Sequence, residues 1–141
     1  MIRNDSEINI IDKEKVFLEC AVTLSRLSTC KRLKVGALII DLNTKEIISY
    51  GYNGNYRGGP NTCDSVKPGQ CGCVHAENNA LIKNGDKRGM ALFVSTTPCI
   101  DCAKLIINSG IKSVYYYKEY RIKEGKQILE KVGIKVEKIV L

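Results

Sequence analysis

One histidine and two nearby cysteines in this chain could hold a metal ion. His75 is the only histidine, and it lies two residues before Glu77. Cys99 and Cys102 follow Pro98 with the spacing Cys-x-x-Cys. One imidazole and two thiolates suit Zn²⁺, and three protein ligands leave the fourth tetrahedral position open. This set therefore predicts a reactive zinc site rather than a closed structural one.

Glu77 adds acid–base chemistry to this set. Residues two apart on a helix do not face each other, so Glu77 is poorly placed as a fourth ligand. It is well placed to move protons beside a water whose pKa zinc lowers to about 7. The alternative is a zinc-knuckle-like or incidental set, in which Glu77 is only a carboxylate in the first turn of a helix.

Four of the other cysteines suggest a second site. Residues 53–73 form a long loop rich in Gly, Asn, Pro and Cys, with little apolar content to hold it in place. A closed four-thiolate zinc would attach this loop to the region around Cys30. The ligands would be Cys30, Cys63, Cys71 and Cys73. Free thiols and a regulatory disulfide are the alternatives, because the Cys71-Gly72-Cys73 spacing is unusually tight for two ligands.

Hydrophobic periodicity predicts the elements of the first half of the chain. A helix capped by Asp12 extends to residue 27, and two strands cover residues 35–40 and 46–52. A helix over residues 74–84 ends at Gly85. The apolar stripe of the first helix is expected to pack into the core, and it comprises Val16, Phe17, Cys20, Ala21, Leu24 and Leu27.

The second half alternates strands and helices, which indicates an α/β sheet with parallel neighbours and helices on both faces. Strands are predicted at 90–96, 113–117 and 134–140, and a helix at 123–132. Another helix takes Thr97 as N-cap and Pro98 as its first residue, and it ends at residues 109–110. His75 and the Cys-x-x-Cys pair thus fall at helix starts, where the helix dipole favours thiolate.

Composition limits the class of protein. A chain of 141 residues, 44% hydrophobic and 26% charged, is expected to form one globular domain, residues 1–141. Residues 1–7 are polar and resemble no secretion signal, and no stretch approaches the ~20 apolar residues of a membrane span. We expect a cytoplasmic protein, whose reduced thiols favour metal over disulfides. The net charge of +7 suggests an anionic partner, although lysines and arginines on solvated helix faces explain most of it.

Four segments resemble deoxycytidylate deaminases of the cytidine/deoxycytidylate deaminase family, most closely the short bacterial and phage members. They read STCKRLKVGA from residue 28, GYNG from 51, VHAENNA from 74 and TPCIDCAK from 97. The resemblance implies a cytidine deaminase-like three-layer α/β/α fold with a five-stranded mixed sheet flanked by helices. It also implies hydrolysis of dCMP to dUMP and ammonia, which supplies thymidylate synthesis.

The resemblance carries roles to individual residues. His75, Cys99 and Cys102 would ligate the catalytic zinc and Glu77 would shuttle protons, while some relatives hold a structural zinc where this chain has its other cysteines. Asn53 would bind the sugar hydroxyl, the Ala76 backbone would read the base, and Tyr120 would lie near the pocket unless it is only a surface or core tyrosine. Relatives also suggest a homo-oligomer based on dimers, up to a hexamer, with dCTP and dTTP as effectors near residues 55–59.

The phosphate of a nucleotide needs a cation, and the planar fork of arginine suits that task. Arg32 and Arg57 are the candidates, with a solvated surface role as the alternative. A deaminase of another cytosine nucleotide, or of a base in RNA or single-stranded DNA, is a second hypothesis. Seven Tyr, two Phe and no Trp give a stacking groove for nucleic acid little support. A zinc-stabilised binding module is a third, but it would not need Glu77.

Overall fold

A mixed β-sheet forms the centre of the molecule in the computed structural model. The structure describes residues 5–65, 67 and 71–141, with the backbone alone over 5–12. In these residues five strands pair in the order β2-β1-β3-β4-β5. The elements along the chain are α1 (Asp5–Ser25), β1 (Gly36–Asp41), β2 (Glu46–Tyr52), α2 (Ala76–Asn84), β3 (Ala91–Thr96), α3 (Ile100–Asn108), β4 (Ser113–Lys118), α4 (Glu124–Lys131) and β5 (Lys135–Lys138).

The sheet changes direction at β1 and β3. A short turn joins β1 to β2 as an antiparallel pair, and β1 also runs antiparallel to β3. Helices α3 and α4 connect β3, β4 and β5, so those three strands are parallel. The predicted mixed sheet with parallel neighbours in its second half is therefore confirmed.

Helices cover both faces of the sheet and give the predicted three layers. On one face α1 buries Leu18 and Ala21 against Phe93 and its neighbours, and Cys20 packs against the same cluster as expected. On the other face α2, α3 and α4 bury residues such as Ala80, Ile106 and Leu129 in a second cluster. The two clusters lie on opposite faces because successive strand residues point in opposite directions.

The first helix differs from the prediction in its start and its buried face. It begins at Asp5 rather than after an N-cap at Asp12, because no proline or glycine in this stretch interrupts the helical backbone. Val16 and Leu27 are exposed, whereas Leu18, which the predicted stripe omitted, is fully buried. Among the described residues, no helix is long and apolar enough to cross a membrane.

The start of α3 also differs from the prediction. Its N-cap is Cys99 rather than Thr97, and Pro98 precedes the helix. The Thr97 hydroxyl accepts a hydrogen bond from the Tyr120 N–H at 2.7 Å, and the Thr97 N–H donates to the Lys118 carbonyl at 3.0 Å. Thr97 is therefore tied to the end of β4, and the chain turns into the helix two residues later.

We predict that Phe93→Ala lowers the free energy of unfolding by about 3–5 kcal/mol, because it leaves a cavity in the core. The Phe93 ring stacks on Tyr115 at 4.7 Å between ring centroids and lies 5.6 Å from Phe17. Urea unfolding followed by circular dichroism measures the change. The control Val140→Ala, at a side chain that is 73% exposed, should stay within about 0.5 kcal/mol of the parent. A loss below about 1 kcal/mol for Phe93→Ala would contradict the packing described.

Candidate metal centre and its cavity

The starts of α2 and α3 bring the predicted ligands together. His75 is the N-cap residue of α2, Cys99 is the N-cap residue of α3, and Cys102 lies in the first turn of α3. Neither N-cap side chain makes a capping hydrogen bond to its own helix. Such a cap typically stabilises a protein by about 1 kcal/mol, so both helices forgo this stabilisation and keep a donor atom available.

The distances among the three donor atoms fit a zinc ion. His75 Nδ1 lies 3.1 Å from Cys102 Sγ and 3.5 Å from Cys99 Sγ. Tetrahedral zinc, with bonds of about 2.0–2.3 Å, places nitrogen and sulfur ligands about 3.5 Å apart. The three donors all lie within 4.8 Å of one another, so they could share one ion.

The protonation of the three donors is coupled. The hydrogen bond with Cys102 lowers the pKa of Cys99 to about 4, against the opposing effect of burial. The same hydrogen bond, together with burial, raises the pKa of Cys102. The hydrogen bond with Cys99 raises the pKa of His75. These hydrogen bonds therefore favour the thiolate at Cys99 and the thiol at Cys102. A divalent cation would favour release of the Cys102 proton.

Glu77 lies beside the three donors but is not one of them. Its side chain is only 4% exposed, and burial raises the pKa of its carboxyl to about 7. A carboxyl that titrates near neutral pH can both accept and return a proton. A metal ion held by the three donors would therefore leave Glu77 available for proton transfer.

A cavity of about 560 Å³ opens onto this centre, a size typical of small-molecule sites. His75, Glu77 and Cys99 line it, whereas Cys102 is fully buried behind them. The other predicted residues that line the cavity are Asn53, Ala76, Arg32 and Tyr120. Arg57 is exposed on the long loop and is not among the lining residues.

Asn53 has a structural role as well as a place in the cavity wall. Its Oδ1 accepts a hydrogen bond from the Val35 N–H at 2.8 Å, and its Nδ2 donates to the Leu33 carbonyl at 2.7 Å. These bonds tie the end of β2 to the segment that enters β1. The amide keeps one N–H and one lone pair for another partner.

Sequence reasoning missed two cationic residues of the cavity, Lys118 and Arg121. They lie at and just beyond the carboxyl end of β4. Ligands in α/β sheets bind outside the carboxyl ends of the strands, so this position was the signal that could have found them. The hydrogen bond between Tyr120 and Thr97 holds this segment at the cavity.

The remaining predicted ligands form a second cluster of four sulfur atoms. Cys30 Sγ lies 3.7 Å from Cys63 Sγ and 3.8 Å from Cys71 Sγ, and Cys63 Sγ lies 3.8 Å from Cys73 Sγ. Tetrahedral zinc would hold its thiolates about 3.8 Å apart, whereas a disulfide needs about 2.05 Å. The spacing therefore fits a four-thiolate zinc site, and none of the seven cysteines is in a disulfide.

Backbone groups around this cluster stabilise negative charge. Burial opposes ionisation of Cys30, but hydrogen bonds from the backbone of Leu33 and Arg32 lower its pKa to about 7. The Lys31 N–H points at Cys63 Sγ at 3.4 Å. Cys30 and Cys71 also line the large cavity, so both sulfur-containing groups border it.

The loop that carries three of these cysteines is closed at its base. Gly54 and Val74 pair through two backbone hydrogen bonds, from the Gly54 N–H to the Val74 carbonyl at 3.1 Å and in the reverse direction at 2.6 Å. Val74 directly precedes His75, so this pairing also fixes the entry into α2.

The fold and the centre are those of a zinc-binding deaminase: a mixed sheet, two helix starts that supply imidazole and thiolates, and a buried carboxyl beside them. The chain belongs to the cytidine and deoxycytidylate deaminase family. Residues 11–118 match the family model described as the cytidine and deoxycytidylate deaminase zinc-binding region. Zinc binding is therefore a property of the family to which this chain belongs.

Individual relatives make the comparison more specific. ComE operon protein 2 of Bacillus subtilis (strain 168) is 34% identical over 140 residues, which cover 93% of this chain and 73% of that protein. Deoxycytidylate deaminase of Mycobacterium phage D29 is 36% identical over 125 residues, which cover 77% of this chain and 96% of that protein. A solved structure of dCMP deaminase from the cyanophage S-TIM5, in complex with dCMP and dUMP, has a TM-score of 0.82. It is 36% identical, and the match covers 91% of this chain and 97% of that one.

Proposed function

We propose that this chain hydrolyses dCMP to dUMP and ammonia. The observation that carries the proposal is a buried carboxyl, Glu77, beside three convergent zinc donors in a cavity of nucleotide size. The deoxycytidylate deaminases among its relatives support dCMP as the substrate. The product is the nucleotide that thymidylate synthesis consumes.

His75, Cys99 and Cys102 are the proposed zinc ligands, because their donor atoms lie within 4.8 Å of one another. Zinc, when bound, supplies an activated water nucleophile at neutral pH. Three protein donors suit this chemistry, since a fourth would close the site.

Glu77 is the proposed proton carrier. Its carboxylate takes a first proton from the attacking water and delivers it to the ring nitrogen of cytosine, while the water oxygen bonds to C4. It then takes the second proton from the new C4 hydroxyl and delivers it to the amine, which leaves as ammonia when the C–N bond breaks. One water is consumed and one ammonia is released, so the carboxylate returns to its starting state. The burial that raises the pKa of Glu77 to about 7 suits both directions of transfer.

The cavity wall is the proposed nucleotide site. The Ala76 backbone would contact the base, and Tyr120 would border the substrate. The remaining N–H and lone pair of the Asn53 amide would hydrogen-bond to the sugar hydroxyl. Arg32, Lys118 and Arg121 line the cavity and would bind the phosphate. Arg57, which stands outside the lining, is a weaker candidate for that role.

Two zinc ions per chain are proposed, one at the catalytic ligands and one structural ion at Cys30, Cys63, Cys71 and Cys73. The sulfur spacings of 3.7–3.8 Å support the second ion. Its role would be to hold the long loop against the segment before β1, where apolar contacts are few. Ligation by thiolates requires a reducing compartment, so we propose that the protein works in the cytoplasm.

A homo-oligomer based on dimers, up to a hexamer, is also proposed. Exposed apolar side chains on β2 and α2 support it, since Ile47 is 57% and Ile82 is 75% exposed. Control by dCTP and dTTP stays a prediction. Residues 55–59, which would take part, lie on the long loop, and α2 ends early at Asn84.

The test of the proton carrier is Glu77→Gln, which keeps the shape of the side chain and removes its basicity. We expect the rate of dCMP turnover to fall about 10²- to 10⁴-fold, as for loss of a general acid–base, with zinc content unchanged. Spectrophotometric deamination assays and elemental analysis measure the two quantities. Glu130→Gln, at an exposed carboxylate of α4, is the control and should retain full activity. Activity of Glu77→Gln within tenfold of the parent would refute the assignment.

The test of the substrate is a panel of dCMP, CMP, deoxycytidine, dCTP and a tRNA stem-loop. We expect the highest kcat/KM for dCMP. Arg121→Gln should lower kcat/KM for dCMP about 10- to 100-fold, the effect of one lost charged hydrogen bond, and should leave deoxycytidine nearly unchanged. Arg26→Gln, at an exposed residue after α1, is the control. Equal losses on dCMP and deoxycytidine would exclude phosphate recognition by Arg121, and preference for the stem-loop would favour the nucleic-acid alternative.

Metal analysis tests the second ion. The parent should contain two zinc ions per chain. The double variant Cys71→Ser with Cys73→Ser should contain one, because a four-ligand site that loses two of its thiolates no longer holds the ion. Cys20→Ala, at a thiol of the α1 cluster, is the control and should keep both. A single zinc ion in the parent would overturn the structural site.

A further inference from the structure

Two glycines lie directly against the backbone that carries the proposed catalytic ligands. Gly125, in the first turn of α4, faces the carbonyl groups of Pro98 and Cys99. Gly51, on β2, faces the carbonyl of Ala76, the residue after His75. We propose that Gly51 and Gly125 are positioning residues for the catalytic zinc. Because neither has a side chain, the backbone next to His75 and at Cys99 can approach closely, and this approach determines where the two ligands lie. This inference rests on the ligand set proposed above.

The backbone of Pro98 and Cys99 lies so close to Gly125 that a methyl group at position 125 would not fit. A Cβ at this position would lie 2.8 Å from both the carbonyl carbon and oxygen of Cys99, and closer still to the carbonyl oxygen of Pro98. Pro98 is fully buried, and the Cys99 carbonyl accepts the Ala103 N–H at 2.9 Å. These groups are backbone, so a side chain at 125 would have to displace the start of α3 and with it Cys99.

Gly51 stands in the same relation to α2. A Cβ there would lie 2.7 Å from the Ala80 nitrogen and closer to the Ala76 carbonyl oxygen. The strand cannot easily retreat, because Gly51 pairs with Ala37 within the β1–β2 ladder, and β1 pairs with β3 on its other side. Asn79 Nδ2 also donates to the Tyr52 carbonyl at 2.9 Å and holds the helix on the strand. A side chain at 51 would therefore push the start of α2, and with it His75, away from the sheet.

Space rather than backbone conformation explains these glycines. Neither Gly51 nor Gly125 has a positive φ, so alanine could adopt the same backbone angles. Alanine is also the better helix former and would favour α4 if the neighbouring backbone were farther away. The close approach matters at these helix starts in particular, because neither has a side-chain cap to fix its position.

Gly36 offers a matched control. A Cβ there would lie 2.6 Å from the Ser25 nitrogen and closer to the Ala21 carbonyl oxygen, so the collision with helix backbone is equally severe. The helix concerned is α1, which carries none of the proposed ligands. Gly36→Ala should thus destabilise the fold without altering the catalytic metal geometry.

The experiment compares Gly51→Ala, Gly125→Ala and Gly36→Ala in the full chain loaded with cadmium. Cadmium NMR resolves a mixed nitrogen–sulfur site from a four-thiolate site in one protein, and chelator competition gives the affinity of each. We expect the mixed-site resonance to shift or vanish in Gly51→Ala and Gly125→Ala, with affinity there roughly 10- to 100-fold weaker. The four-thiolate resonance should persist in all three variants, and Gly36→Ala should keep the parent's mixed-site resonance.

Three results would overturn the inference. If Gly51→Ala and Gly125→Ala, the two ligand-side variants, both bind cadmium at the mixed site within about twofold of the parent affinity, the glycines do not position the ligands. An equal loss in Gly36→Ala would show a general effect of stability, which the unfolding midpoint of each variant measures independently. A parent resonance that survives Cys99→Ser would instead refute the proposed ligand set itself. If one ligand-side variant does not fold, the other decides by the same criteria.

Discussion

The structure depends on the convergence of three donor atoms from two helices that are separate in sequence. His75 and the pair Cys99 and Cys102 meet only because α2 and α3 begin at the same end of the sheet and on the same face. The strand order β2-β1-β3 makes this possible, since α2 packs beneath β2 and β1 while α3 follows β3. The antiparallel hairpin at one edge and the parallel strands at the other are both needed to bring the two helix starts together.

This convergence has a cost in local stability. Neither helix has a side-chain cap, because the N-cap residues His75 and Cys99 direct their side chains toward each other, and the Glu77 carboxyl is buried beside them. The surrounding structure offsets the cost with hydrogen bonds that join neighbouring segments, most of them between a side chain and the backbone. Thr97 is tied to β4 by two hydrogen bonds, and Asn53 joins the end of β2 to the approach to β1.

Much of this arrangement could be predicted from the sequence, because the signals were local. Gly85 marked the end of α2, and alternation of strands and helices marked the parallel sheet. The Cys-x-x-Cys spacing marked the first sulfur group, and a long loop rich in cysteine marked the second. The exceptions depended on tertiary contacts. The position of Cys99 as N-cap follows from the use of Thr97 by β4, and the burial of Leu18 in place of Val16 follows from how α1 lies on the sheet. No local pattern reveals either.

The cavity wall shows the same division. Residues with distinctive chemistry, such as Glu77 and Asn53, were identifiable from their motifs. Lys118 and Arg121 were not, because an isolated basic residue has no signature until the topology places it at the end of a strand. The four sulfur atoms come together from residues up to 43 apart in number, from Cys30 to Cys73, which a spacing rule can suggest but only a folded chain can demonstrate.

The paired hydrogen bonds between Gly54 and Val74 have a consequence for chain entropy. They close the long loop at its base, so its interior residues are not needed to hold its ends together. The entropic cost of closing a flexible loop grows slowly, by about 0.6 kcal/mol for each doubling of its length. A change of length between residues 55 and 62 therefore adds little to the entropic cost of closing the loop at the Gly54–Val74 pair, which directly precedes His75.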